Sequence, residues 1–247
     1  MEDDATGYPR LDVLGDVRLV GARGQPPARS ERQCLEYCGW LLRFPGQSAY
    51  AMSRSLLVAE GTRRSNVSRL RLWLGQDGEG ELFLPEAYSG RVRLHPGVSS
   101  DWERVEVLLT GGVDKVATSV LIEVLGLVRG VPLQDVAPGA WGWAEGWRVE
   151  MCTVIRDVGV VLCGRALAQG DVDLARWGVS RALLVAPGDE RLLGCRVRME
   201  HVAGNRLEVE RLVLSLTRRA RGLGIDLAPD TVALLREVMD GPAAVAA

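Results

Sequence analysis

Apolar and polar positions alternate along "RLDVLGDVRLV" (10–20) on both sides of Gly15-Asp16, which predicts strand, turn, strand. The period then lengthens. "RSERQCLEYCGWLLR" (29–43) opens on Ser30, a residue suited to an N-cap, and keeps helical spacing until "PGQS" breaks it. "AYAMSRSLLVAEG" (49–61) predicts a short helix ended by Gly61, and residues 62–74 a third helix. Two short β-like runs, 81–84 and 91–94, flank a turn bearing Pro and Gly, which predicts a hairpin. Beyond Pro96-Gly97 the pattern is helical throughout. Helices are expected over 101–110, 114–129, 140–168, 171–185, 188–203, 206–222 and 228–239, separated by Gly or Pro.

One spacing inside the helical half suggests a repeat. "AQGDVDLARW" and "VAGNRLEVER" place Gly170 and Gly204 34 residues apart, each between two amphipathic stretches. That is the period of tetratricopeptide helix pairs. The join between the halves, "HPGVSSD" (95–101), is short and carries Pro96, so it does not read as a long flexible tether. Ser99 and Ser100, followed by Asp101 and Glu103, predict a capped helix start. Its apolar positions Trp102, Val105 and Leu108 form a stripe expected to pack into the helical half and to hold the first half close beside it.

The third helix, "GTRRSNVSRLRLWLG" (61–75), holds four arginines and no acid. At 100° per residue Val67, Leu70 and Leu74 share one stripe, which should dock on the other two helices. Ser65 and Arg69 fall opposite, Thr62 and Asn66 on the flank, and Trp73 near the outward face. Arg54, Arg63, Arg64 and Arg71 would surround that face. Arginine binds phosphate bidentately and reads guanine in the major groove, and a small residue such as Ser65 lets the helix backbone approach base edges. A solvated arginine face is the plainer reading of such a helix taken alone. Three helices followed by a hairpin is the order of a winged helix-turn-helix, which favours the nucleic-acid reading.

Charge sharpens the division. Residues 1–97 hold 13 basic and 12 acidic residues, net +1, and residues 98–247 hold 17 and 20, net −3. The second half is therefore not a nucleic-acid surface. Nearly every base is arginine, Lys115 being the one lysine. The N-terminal "MEDDATGYPR" is acidic and does not read as a signal peptide, no stretch is apolar enough to span a membrane, and a cytoplasmic chain is expected. The terminal "GPAAVAA" reads as a frayed end. Cys34, Cys38, Cys152, Cys163 and Cys195, with His95 and His201 far apart, lack zinc-ligand spacing and read as reduced core thiols. Trp141, Trp143 and Trp147 in "APGAWGWAEGWRVE" (137–150) read as packing between repeats, or as an aromatic anchor for a partner or small molecule; only Trp143 and Trp147 can share a helical face. Arg218, Arg219 and Arg221 at the end of 206–222 complement the helix dipole. There is no Walker loop, dinucleotide fingerprint or nucleophile elbow. Asp171 and Asp173 read as caps, so no catalytic, cofactor-binding or metal set is expected, and no enzyme.

At this point the sequence resembles the antibiotic-regulatory (SARP-type) transcriptional activator family over about residues 10–240. "RLDVLGDVRL" looks like that family's opening hairpin, "NVSRLRLWLG" like its recognition helix, with V-S-R-L-R the most specific part, and "LPEAY" like its wing. "SSDWERVEVLL" and "LVRGVPLQDV" resemble the start of its helical domain. The resemblance implies a mainly α chain. Residues 1–97 would form an OmpR/PhoB-like winged helix-turn-helix with β-hairpins. Residues 98–247 would form an all-α, tetratricopeptide-like bacterial transcriptional activator domain. It implies a sequence-specific DNA-binding activator, with Ser65, Asn66, Arg69 and Arg71 at recognition-helix positions and Arg54, Arg63 and Arg64 beside them. The partners implied are double-stranded DNA, RNA polymerase or another protein met by the helical domain, and a second copy of the chain, with no cofactor and no membrane insertion. The wing departs from the pattern: Ser89 follows Tyr88 where the family usually has arginine, and Glu79, Glu81 and Glu86 add negative charge. The alternative is a degenerate winged helix that, with the helical repeats, serves as a protein-interaction or ligand-sensing module, the cytosolic part of a larger signalling assembly.

Overall fold

The computed structural model describes residues 7–86 and 90–240. The acidic N-terminus, the Ala87–Ser89 tip of the expected wing and the tail 241–247 lie outside them. The chain divides into two compact units, one of residues 1–107 with 132–151, the other of residues 108–131 with 152–247.

In the first unit the opening alternation gives β1 (Arg10–Asp12) and β2 (Arg18–Val20), antiparallel with Leu11 opposite Leu19. Asp12, fully buried, accepts from Arg10 Nε at 2.9 Å and from Arg18 Nε at 2.8 Å. A two-residue strand that no alternation announced, β3 (Ser99–Ser100), pairs parallel to β1. The sheet order is β2-β1-β3. Three helices follow the hairpin: α1 (Glu31–Arg43), α2 (Ala49–Ser55) and α3 (Glu60–Leu74). α1 buries Cys34, Leu35, Tyr37, Cys38, Trp40 and Leu41, a helical stripe that packs on α3 and β1.

α2 is shorter than expected. It ends at Ser55, and the chain reverses at Leu57, whose φ is 52°. Val58 N–H bonds back to Ser53 O at 3.0 Å, closing the turn. Leu57 takes the left-handed position that glycine usually fills after a helix, and Gly61 lies inside α3 instead.

The expected wing hairpin does not form a ladder among the described residues. Leu82 and Arg91 make single bridges to Gln76 and Ser48, and His95 N–H to Phe83 O links the two runs. The reason is competition for backbone groups. Arg71 takes the carbonyls of Leu84 and Pro85, Pro85 has no N–H to give, and the Asp77 carboxylate takes the N–H groups of Glu79 and Glu81.

α4 (Asp101–Leu108) starts on the capping box that its sequence predicts: Glu103 N–H donates to Ser100 Oγ at 3.0 Å, and Ser100 N–H to Glu103 Oε2 at 2.9 Å. Trp102 and Val105 are buried. Residues 101–107 cluster with the hairpin unit, not with the repeats that the stripe was expected to join. Asp101 receives the N–H groups of Val13 and Leu14 at 2.8 and 3.1 Å, and the segment after residue 131 closes the same turn through Leu133 N–H to Val13 O and Gln134 N–H to Gly15 O.

The tryptophan-rich segment is not helical from 140. Trp141 has φ 54°, a single 3₁₀ turn covers Gly142–Ala144, and the long helix begins only at Glu145. Trp141 and Trp143, which no helix could align, therefore stack 5.7 Å apart, and Trp143 stacks on Trp147 at 6.0 Å. Trp40 of α1 and Phe44, which caps that helix, extend the row, so its packing partner is the C-terminal end of α1. Trp143 Nε1 donates to Glu36 Oε1 at 3.2 Å, and burial pushes the Glu36 carboxyl above its ordinary range despite that bond.

The second unit contains α5 (Thr118–Leu127), α6 (Glu145–Ala168) from residue 152 on, α7 (Val172–Val185), α8 (Glu190–Val202), α9 (Arg206–Leu223) and α10 (Pro229–Asp240). The 34-residue spacing is realised as two matching turns. Gly170 and Gly204 have φ 73° and 74°. The residue after each glycine bonds back to the helix before it at 2.9 Å, Asp171 N–H to Ala166 O and Asn205 N–H to Glu200 O. Cys163, Ala166, Ala175, Val179, Cys195 and Met199 fill the core of α6, α7 and α8, and Val197, Val209, Leu212, Leu216, Leu234 and Val238 fill that of α8, α9 and α10. α6 and α7 approach closely because Gly159 faces Ala182: a Cβ at Gly159 would lie 2.4 Å from Ala182 Cβ. Arg181 donates to the carbonyls of Leu125, Gly126 and Val128, satisfying acceptors that the end of α5 leaves open.

Candidate nucleic-acid interface

α3 is fixed at three places before its outer face is considered. α1 covers its inner stripe. At its C-terminus the loop after β2 donates Arg23 N–H to Leu74 O at 3.0 Å and Gly24 N–H to Trp73 O at 2.9 Å. Only glycine fits there, since a Cβ on Gly24 would sit 2.0 Å from Leu72 O. Arg71 Nε reaches Leu84 O at 2.8 Å and joins the helix to the chain that follows it.

The buried stripe is wider than the apolar pattern implied. Arg63, Asn66, Val67, Leu70, Trp73 and Leu74 are all buried. On a helical wheel these six lie within about 60° of Leu70. Trp73 therefore faces the core, which corrects its expected outward position, and polar Arg63 and Asn66 continue the same stripe toward the N-terminus. Neither of the two presents its side chain outward, a second correction. Asn66 Oδ1 accepts from Arg69 Nη1 at 2.9 Å and so orders an exposed guanidinium from below.

The outward face consists of Arg64, Ser65, Ser68, Arg69 and Leu72, all exposed, with Arg54 exposed on α2 and Arg71 half-buried on the flank. Arg64 pairs with Glu60, one turn earlier on the helix. Of the seven expected contact residues, the structure thus brings Arg64, Ser65 and Arg69 to one face, sets Arg54 on the neighbouring helix, ties Arg71 to backbone and buries Arg63 and Asn66. Leu72, 73% exposed between polar neighbours, belongs to the face and was not anticipated; its exposure on an otherwise core-forming residue type is the signal. Such a face can offer bidentate donors to phosphate or guanine, hydroxyls to either, and an apolar contact to a thymine methyl.

A second cluster went unread in the sequence. Asp77, Glu81 and His95 bring ligand-type atoms within 4.8 Å of one another. His95 Nδ1 accepts Gly97 N–H at 3.0 Å, and its Nε2 faces Glu81 at 3.7 Å. The backbone N–H groups of Glu81 and Glu79 donate to Asp77 Oδ1, and the Glu81 bond above all holds its carboxyl below the usual range.

No protein-family profile matches the chain, and no curated protein matches it. Among solved structures the chain is similar to Mycobacterium tuberculosis EmbR in complex with a low-affinity phosphopeptide, with a TM-score of 0.69 and 20% sequence identity. The likeness covers 94% of this chain and 65% of that one, so the chain spans less than two thirds of EmbR's length in that structure. At this identity the likeness establishes the fold alone: a mainly helical chain with a small sheet, shared with EmbR. Among the described residues no helix is long and apolar enough to cross a membrane.

Proposed function

We propose that the chain is a DNA-binding transcriptional regulator of the activator type, belonging to the SARP family, and that it works in the cytoplasm without enzymatic chemistry. α3 is its reading helix, and the helical second unit meets a protein such as RNA polymerase. The observation that carries the reading is the outward face of α3: Arg64, Ser65, Ser68 and Arg69 lie together on a helix clamped by α1, by the Gly24 loop and by Arg71. Rigid support of this kind holds donors in register with base edges and phosphates. The fold shared with EmbR supports the reading, and the phosphopeptide in that protein's complex supports a protein partner for this chain too.

Gel retardation of genomic fragments by the full chain tests it. Wild type should retard a subset of fragments at low salt, and Arg69→Ala should abolish the selectivity. A second reading, a winged helix kept for protein contact, draws on the near-neutral first 97 residues and on the exposed Leu57 and Leu72. Absence of retardation for every fragment at low salt would select it.

A further inference from the structure

Arg63 is 8% exposed, yet among the described residues no carboxylate pairs with it. Its Nε donates to Ser53 Oγ at 3.1 Å, and no described residue accepts from its two terminal nitrogens. Its terminal nitrogens therefore keep contact with solvent, while the rest of the side chain is covered by protein. Arg63 also lines an open cleft of about 470 Å³ between α2 and the start of α3. Ala49, Tyr50, Ser53, Arg54, Val58 and Glu60 form the rest of its wall. Glu60 does not neutralise the floor, since it is 65% exposed and its carboxylate is engaged by Arg64. Ala59, the N-cap of α3, offers no side-chain cap, so the first N–H groups of the helix open beside Val58 and Glu60.

From these facts we propose that the cleft is a binding site for a small phosphate monoester. Arg63 forms the floor and takes the phosphate oxygens through its terminal nitrogens. Ser53, whose oxygen already accepts from Arg63, turns its hydroxyl proton to the same group. Arg54 closes from the rim. Ala49, Val58 and the ring of Tyr50, which is 71% exposed, supply apolar wall for the organic part. A free monoester can enter the cleft to a guanidinium that is 8% exposed. A phosphate in a duplex backbone, flanked by sugars on both sides, meets the exposed Arg54 instead. The site does not depend on α3 reading DNA.

Calorimetric titration of the full chain with phenyl phosphate and, separately, inorganic phosphate tests the proposal. Both should bind saturably, phenyl phosphate more tightly, and each should raise the Tm of wild type. Arg63→Met should fold, lose at least about tenfold in affinity for both ligands, and lose the Tm rise. Should Arg63→Met fail to fold, Tyr50→Ala serves: it should weaken phenyl phosphate about threefold to tenfold and leave inorganic phosphate unchanged. Absence of saturable binding to wild type, or unchanged affinity in Arg63→Met, overturns the proposal. So does a duplex shift lost in Arg63→Met while neither phosphate binds, since the anion would then be DNA. Retardation of DNA that survives in Arg63→Met leaves the DNA reading standing whichever way the phosphate titration falls.

Discussion

Asp101 Oδ1 accepts the backbone N–H of Val13 at 2.8 Å, across 88 residues of chain. Its Oδ2 takes Leu14 N–H at 3.1 Å, and Asp101 is buried. One carboxylate therefore satisfies two backbone donors of the β1–β2 turn and fixes the start of α4 against it. Asp101→Asn keeps the shape but turns an amide NH2 toward one of these donors. It should destabilise the first unit by about 2–4 kcal/mol, measured as a lower denaturant midpoint. A midpoint within experimental error of wild type would mean that the turn finds its partners elsewhere.

Leu57 shows how backbone strain can be traced to one position. It is 91% exposed with φ 52°, so it makes little packing and sits where glycine is preferred. Leu57→Gly should stabilise the chain by about 1 kcal/mol, seen as a higher Tm. A lower Tm would show that the leucine side chain contributes more than the strain removes.

Much of the fold was legible because local pattern and tertiary packing agree. The hairpin alternation, the helix over 31–43 and the turns at Gly170 and Gly204 all follow from spacing and from residues with strong conformational preferences. What was missed lies where the two disagree. A left-handed leucine gives no turn signal, so Gly61 took its place in the reading and α2 ran too long. The wing lost its ladder to side chains, Arg71 and Asp77, that compete for backbone groups. In α3, hydrophobicity located Val67, Leu70 and Leu74, and the helical period by itself puts Trp73 about 60° from Leu70 on the buried side; hydrophobicity could not show that polar Arg63 and Asn66 continue the buried stripe. The tryptophan row depended on a 3₁₀ turn that a helical reading of 140–168 erases. Of the candidate site, the outward positions Ser65 and Arg69 were legible from the wheel, whereas the cleft below Arg63 needed three dimensions.

The thiols of α1 set an alkaline limit. Burial pushes Cys34 up to about 11 and Cys38 up to about 12 from 9.0, and burial likewise raises Tyr37. The folded chain thus prefers these groups protonated. Their contribution is whole below pH 9 and is lost as pH rises through 11 and 12. The denaturant midpoint should fall over that window and fall less in Cys38→Ala. At pH 8 iodoacetamide should label half-buried Cys152 well before Cys34 or Cys38. A midpoint that holds or rises above pH 9, or early labelling of Cys38, would contradict the buried-thiol account.

The measurement closest to the central claim is fluorescence anisotropy of a retarded duplex, titrated with the full chain across a salt series, for wild type, Arg69→Ala and Arg63→Met. If the outward face of α3 reads DNA, wild-type affinity falls with salt. Arg69→Ala then loses about 1–3 kcal/mol of discrimination between that duplex and a scrambled one, while Arg63→Met keeps both affinity and discrimination. Equal binding of both duplexes by wild type, or an Arg69→Ala chain that discriminates as wild type does, would show that this face does not read DNA.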